Sequence, residues 1–341
     1  MNQFRRGCAL ALCASVAALG GFPTLASATP VVAITEFSSG ISGNPGQIVT
    51  GPDGNLWFTE LNARIGRVTP AGAVQEFSAG ITAGANPADI TAGSDGALWF
   101  TEATHPKIGR ITIGGVVTEY GGISGNPYSI AAGPDGALWF TEDTVGGKIG
   151  RITTSGAVTE FPAPLATGST SIVAGSDGNL WYAGSDGIVR MTTTGVSTDF
   201  NTGIGAANAP TRVTLGPDGN VWFTESSGHI GRVTPRGVLT IYTAGLSAGS
   251  EPLGIFARSD GALWFTERAG NRIGRIATSG IITEYSAGIS AGAGPQEITI
   301  GPNNDLWFTE SQGMRVARGV VSGGLVTGPT TTPEISLLVV K

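Results

Sequence analysis

Short apolar stretches recur along the chain, each bounded by Gly, Pro, Asp or Asn. In the first full unit they are Gln47–Thr50, Leu56–Glu60, Arg64–Thr69 and Ala73–Phe77. They are rich in Ile, Val, Thr, Trp and Phe, residues that suit a pleated, half-buried surface, so each reads as a β-strand. No window of helical periodicity competes with them. Between the first two lies Gly51-Pro52-Asp53-Gly54. Pro presets φ there, Asp bonds its own backbone and Gly accepts a positive φ, which together specify a tight turn.

The four-strand unit repeats. Trp57, Trp99, Trp139, Trp181, Trp222, Trp264 and Trp307 each sit in the same phrase, 40 to 43 residues apart. The phrase reads Gly51-Pro52-Asp53-Gly54-Asn55-Leu56-Trp57-Phe58-Thr59-Glu60 and returns nearly unchanged from Gly133 to Glu142. A period in the forties marks an array or a propeller. Four antiparallel strands repeated seven times predict an all-β fold, a seven-bladed β-propeller. Ile34–Ser38 repeats the fourth strand before the first full unit, whereas the seventh unit has three strands, ending near Arg318, and only a degraded fourth at Gly324–Gly328. The N-terminal strand is therefore expected to complete the last blade and close the ring, which removes the open junction between first and last blades. The expected organisation is a leader over 1–28, a propeller over 29–320 and a tail over 321–341.

The leader reading rests on Arg5 and Arg6, the apolar run Cys8–Leu19 and the Ala26-Ser27-Ala28 cleavage signal. These are the parts of a secretory signal peptide, so the expected location is the periplasm or the outside of the cell. Both cysteines fall within this segment, which leaves 29–341 without a disulfide, a thiolate nucleophile or a Cys metal site. Over 341 residues the net charge is −6, a balance that argues against nucleic acid and anionic membranes as partners. No stretch is long and apolar enough to span a membrane, and a monomer is expected.

A residue present in nearly every blade is expected to be scaffold, because one binding site breaks the symmetry of a ring. The tryptophans fall under this rule, as blade packing. So do Glu60 and its five counterparts at the end of the second strand, and Arg67 and its six counterparts on the third, which are expected to make repeated polar contacts, cross-strand pairs among them.

The Gly-Pro-Asp-Gly-Asn-Leu-Trp-Phe-Thr-Glu phrase, followed by Lys148-Ile149-Gly150-Arg151-Ile152-Thr153 and then Val158-Thr159-Glu160-Phe161, resembles the streptogramin B (virginiamycin B) lyases from about residue 31 to 318. That resemblance implies a propeller that opens cyclic depsipeptide antibiotics by elimination at the ester, with Mg²⁺. It also implies two histidines, just after the prolines that open the first strands of the sixth and seventh blades, and a metal-binding glutamate in the seventh. At the matching positions stand Leu253, Gln296 and Ser311. Leucine cannot take a proton and neutral glutamine is a very poor base. His105 and His229 lie three blades apart and read as surface residues, while Glu297 and Glu310 are the carboxylates near enough to substitute.

The positions after each strand-opening proline vary most between blades. They include Asp89, Tyr128, Arg212, Gln296 and Glu297, which by the family's geometry gather at the mouth of the central channel. Such a pocket would be polar with one aromatic, suited to a small polar or peptide-like ligand. Three functions stay open: a binding propeller without catalysis, a Mg²⁺-dependent carbon–oxygen lyase acting on streptogramin B or a related cyclic ester, and a structural module of the cell envelope.

Overall fold

The computed structural model describes residues 31–322 except 145, 164–170, 185–186, 201–208 and 226. The leader and most of the expected tail, with its degraded strand, lie outside the described residues. Among those described, seven four-stranded antiparallel sheets form the blades of a propeller. The first blade runs outward from the channel through β2 (Pro45–Thr50), β3 (Leu56–Glu60), β4 (Arg64–Val68) and β5 (Val74–Phe77). Its inner strand opens at Pro45, two residues earlier than expected, with a register shift between Pro45 and Ile48 that re-aims the strand at the channel. No helix of the described residues is long and apolar enough to cross a membrane.

The repeated phrase is legible as packing. Asp53 Oδ1 accepts from Trp57 Nε1 at 3.0 Å and from the Asn55 N–H at 3.2 Å, so the turn holds the indole. Gly51 is required because a Cβ there would lie 2.5 Å from Trp57 Cδ1. Trp57 stacks on Phe77 of the outer strand, with ring centroids 5.4 Å apart. Every blade repeats this stack at 5.2–5.6 Å. Each tryptophan also joins the core of the next blade, as Trp57 does with Leu98 and Phe100. The tryptophans thus cement neighbouring blades as well as their own.

The recurrent arginines do not pair with the recurrent glutamates. Arg67 lies over the Trp57 ring, 5.4 Å from its centroid, and its charge faces Asp53 of the turn at 3.8 Å. Arg67 sits opposite Trp57, away from Glu60, and makes its cross-strand contact with Gln75 at 2.6 Å, while Glu267 and Glu310 face Arg272 and Arg315 across the strands at 3.8 Å. The Gly of each Ile-Gly-Arg phrase has its own cause: at Gly66 a Cβ would meet Phe58 Cζ at 2.1 Å. Replacing Gly66 by Ala forces that ring aside, and urea unfolding should show a loss of about 1–3 kcal/mol.

The ring closes as expected. The seventh blade comprises β26 (Pro295–Ile300), β27 (Leu306–Glu310), β28 (Arg315–Ser322) and the N-terminal β1 (Val31–Phe37). All seven residues of β1 pair with β28, from Val31 opposite Ser322 to Phe37 opposite Val316. This explains why β28 continues past Arg318, where the repeat alone ended it.

Candidate functional site

Seven inner strands face one another across the central channel. Side chains alternate along them between the two neighbouring inter-blade cores, Ile48 joining one and Val49 the other, while successive residues Gln47, Ile48 and Val49 all border the channel. A cavity of about 160 Å³ lies between them. Its far part is lined by apolar and hydroxyl side chains such as Val49, Thr91 and Phe256, and nearer the strand openings stand Asp89, Ser129, Ser171, Arg212 and Glu297.

The free edge of an inner strand presents N–H groups that no neighbouring strand accepts, so side chains must. Asp89 takes the N–H of Ile90 at 2.7 Å, the N–H of Ile130 at 2.9 Å and Ser129 Oγ at 2.6 Å. Ser129 Oγ in turn accepts from Ile172, and Ser171 Oγ from Val213. Burial raises the pKa of Asp89 above the usual carboxylate value, although Arg212 and these donors oppose the shift.

Across the channel, Arg212 Nε donates to Glu297 Oε1 at 2.5 Å, joining the fifth blade to the seventh. The guanidinium lies 6.0 Å from the Tyr128 ring centroid. Glu297 has room because Gly254 faces it: a Cβ there would fall 2.7 Å from Glu297 Cα and 2.9 Å from its Oε2. Burial pushes the Glu297 carboxyl up to about 7, with Asp89 adding to it, against the pull of Arg212.

Of the predicted mouth residues, Asp89, Arg212 and Glu297 thus converge in the channel, with Tyr128 beside the guanidinium. Gln296, next to Glu297, is half-buried and does not line the cavity. Its carbonyl accepts from Thr266 Oγ1 at 2.7 Å, as the carbonyls of Tyr128 and Leu253 accept from Thr101 and Thr224. These threonines also hold their own inner strand, Thr266 through the Gly254 N–H and Thr101 through that of Asp89. Sequence reasoning passed over this hydroxyl link. Its signal was present, since Trp-Phe-Thr-Glu carries Thr in six blades while the fourth has Ala183.

His229 is more than a surface residue. Its Nδ1 lies 2.7 Å from Glu225 Oε2, a carboxyl that burial shifts upward. His105 Nδ1 meets the Thr104 hydroxyl at 3.1 Å. Leu253 offers an alkyl group, Gln296 an amide and Ser311 a hydroxyl 3.5 Å from the Gly294 carbonyl. Mg²⁺ favours carboxylate oxygens, so this donor set does not fit it. Among the described residues, no group of three His, Cys, Asp or Glu side chains is arranged to hold a metal.

The profile of the virginiamycin B lyase family matches residues 32–243 and 165–335. A streptogramin B lyase structure superposes with a TM-score of 0.78 at 31% identity, covering 85% of this chain and 98% of that one. Selenomethionine-substituted virginiamycin B lyase from Staphylococcus aureus gives 0.76 at 32%, covering 86% and 99%. A catalytically inactive variant of that lyase, crystallised with quinupristin, gives 0.77 at 32%, covering 85% and 99%. No curated protein sequence matches.

Proposed function

The chain belongs to the virginiamycin B lyase family, and on that premise we propose that it is an exported, non-lytic member that binds a small polar or peptide-like ligand at the channel mouth. The observation that carries the reading is the chemistry at the three matching positions: Leu253, Gln296 and Ser311 supply neither a base nor a carboxylate. Abstraction of a proton α to a carbonyl needs a positioned acceptor. Glu297 is occupied by Arg212, and Glu310 faces Glu36 within the seventh blade. The side chains at those positions do not suit Mg²⁺.

Binding, by contrast, has support. Arg212 and the hydroxyls of Ser129 and Ser171 offer charge and hydrogen bonds within one cavity, and Tyr128 sets a ring face beside the guanidinium. Arg is well suited to carboxylates and planar amides. The competing reading is the lyase, and Glu297 favours it, being a buried carboxyl with its pKa raised to about 7.

Quinupristin is the probe, because the inactive relative was crystallised with it. The purified chain is incubated with quinupristin and Mg²⁺, followed by mass spectrometry for the linear product and by thermal unfolding. We expect a raised Tm with no product, with stabilisation of about 2.7 kcal/mol at 100 times the Kd. Linear product that disappears with EDTA overturns the non-lytic reading. An unchanged Tm at saturating quinupristin removes cyclic depsipeptides from the ligand class.

A further inference from the structure

Five blades carry the same pair of glutamates at the mouth-side end, one strand outward from the channel. In the second blade Glu102 ends its strand wholly buried, and neither carboxyl oxygen has a hydrogen-bond donor. Facing it is Glu119, whose oxygens collect the Thr82 N–H at 2.5 Å, the Thr82 hydroxyl at 2.7 Å and Lys107 Nζ at 2.6 Å. All available donors therefore serve the outer carboxylate. The inner carboxyl has only that half-buried carboxylate to meet, and two acceptors in contact with no donor between them favour a proton shared by the pair.

The arrangement recurs with different side chains. In the sixth blade Glu267 is bare, while Glu284 holds both groups of Ser247 at 2.6 Å and pairs with Arg272. In the seventh, Glu310 is bare and Glu36 holds Ser290 and Arg315. Glu60 faces Glu76 with Arg64 and Ser42 in the first blade, and Glu142 faces Glu160 with Lys148 and Ser124 in the third. In these two the inner carboxyl is bare at one oxygen only, since Glu142 Oε2 accepts from the Gly125 N–H at 3.0 Å and Ser124 Oγ at 3.3 Å, and Glu60 accepts from the Gly43 N–H. The nearest base to a bare inner carboxyl is 3.8 Å away, Arg272 from Glu267 and Arg315 from Glu310. The two remaining blades break the pattern together: the fourth has Gly184 in the inner place, and the fifth replaces the outer acid with Ile241 and the base with His229.

We propose that each of the five pairs keeps one proton in the folded ring that the unfolded chain gives up at neutral pH, so that the propeller is stabilised by acid and loosened by alkali. Burial and the facing carboxylate raise Glu60, Glu102, Glu267 and Glu310 to about 8 and Glu142 to about 7, from 4.5. A group raised on folding stabilises fully below its unfolded value and loses that contribution as pH climbs through the folded one. The window therefore runs from about pH 4.5 to 8. The outer partner moves the other way: against its burial, Lys107 and Thr82 pull Glu119 down to about 2, outside this window.

The test is equilibrium urea unfolding of the whole chain between pH 5.5 and 8.5. Each pair should lower the folding equilibrium constant by up to about tenfold per pH unit. Glu102→Gln, which keeps an amide donor toward Glu119, should flatten the slope by close to one proton and match or exceed the parent at pH 8.5. Stability that is flat or rising across this range overturns the proposal, as does a Glu102→Gln deficit that is equal at every pH. Should that variant fail to fold, calorimetric unfolding of the unaltered chain in two buffers of different ionisation enthalpy decides the matter. Release of more than three protons at pH 6.5 supports the pairs, because Glu297, Asp89 and Glu225, the other carboxyls raised by burial, can supply three at most; a smaller release refutes them.

Discussion

A chain lacking residues 31–37 should lose cooperative folding. β1 contributes seven backbone pairs to β28 and packs Val32 and Ile34 against the seventh-blade core. Phe37 stacks on Trp307 at 5.6 Å and also covers the turn glycine of the first blade, where a Cβ at Gly72 would meet the ring at 2.2 Å. Glu36 fastens Ser290 and Arg315 as well. Full burial of such a side chain is worth about 1.5–3 kcal/mol; Val32 is buried and Ile34 and Phe37 are half-buried, so the three together contribute a sizeable share of the roughly 5–15 kcal/mol that stabilises a typical domain. The deletion also exposes β28 as an unpaired edge next to an uncovered tryptophan, an invitation to association between chains. Tryptophan fluorescence during urea unfolding and size-exclusion chromatography should show a broadened, early transition and oligomers. A synthetic peptide of residues 31–37 should restore part of the loss. A deletion variant that melts with the parent would show that the ring does not depend on this seam.

The second large effect is expected at Arg212. Replacing it with Met leaves Glu297 and Asp89 buried in one cavity without their cation. Breaking a buried pair from one side typically costs about 3–5 kcal/mol, because the remaining charge is stranded. The penalty should depend on pH with a defined sign. Burial already raises Glu297 to about 7 with Arg212 present, and removing the guanidinium raises it further. The variant therefore approaches the parent as pH falls toward 5 and departs from it as pH rises toward 8. Adding Glu297→Gln to Arg212→Met should recover much of the loss at pH 8, since the second carboxylate then has no charge to strand. Urea midpoints of the three variants at both pH values check this, and a pH-independent deficit would show that Arg212 acts by packing alone.

The legible part of the site was its variation. Asp89, Tyr128, Arg212 and Glu297 stood out because they differ between blades that otherwise repeat, and three of them share the channel. Gln296 varies between blades in the same way, but it stands one residue before the stretch Glu297–Thr299 that lines the cavity. The Glu225–His229 contact was out of reach, since a cross-strand distance depends on register that three intervening residues do not reveal. The glutamate pairs were half visible: the inner member recurs with the tryptophan phrase, but its outer partner and the donors held by that partner lie on other strands and loops.

Sequence alone determined the blade count, the strand order within a blade and the closing role of the N-terminal strand. These follow from a period and from alternating apolar residues, which are local properties of the chain. Only the tertiary structure decided which charges meet. Arg212 and Glu297 are 85 residues apart in sequence and 2.5 Å apart across the ring. Glu36 caps Ser290 from the far end of the chain. Such contacts are set by closing a circle, and the free energy of a carboxyl group depends on the water and the donors that the closed circle leaves to it.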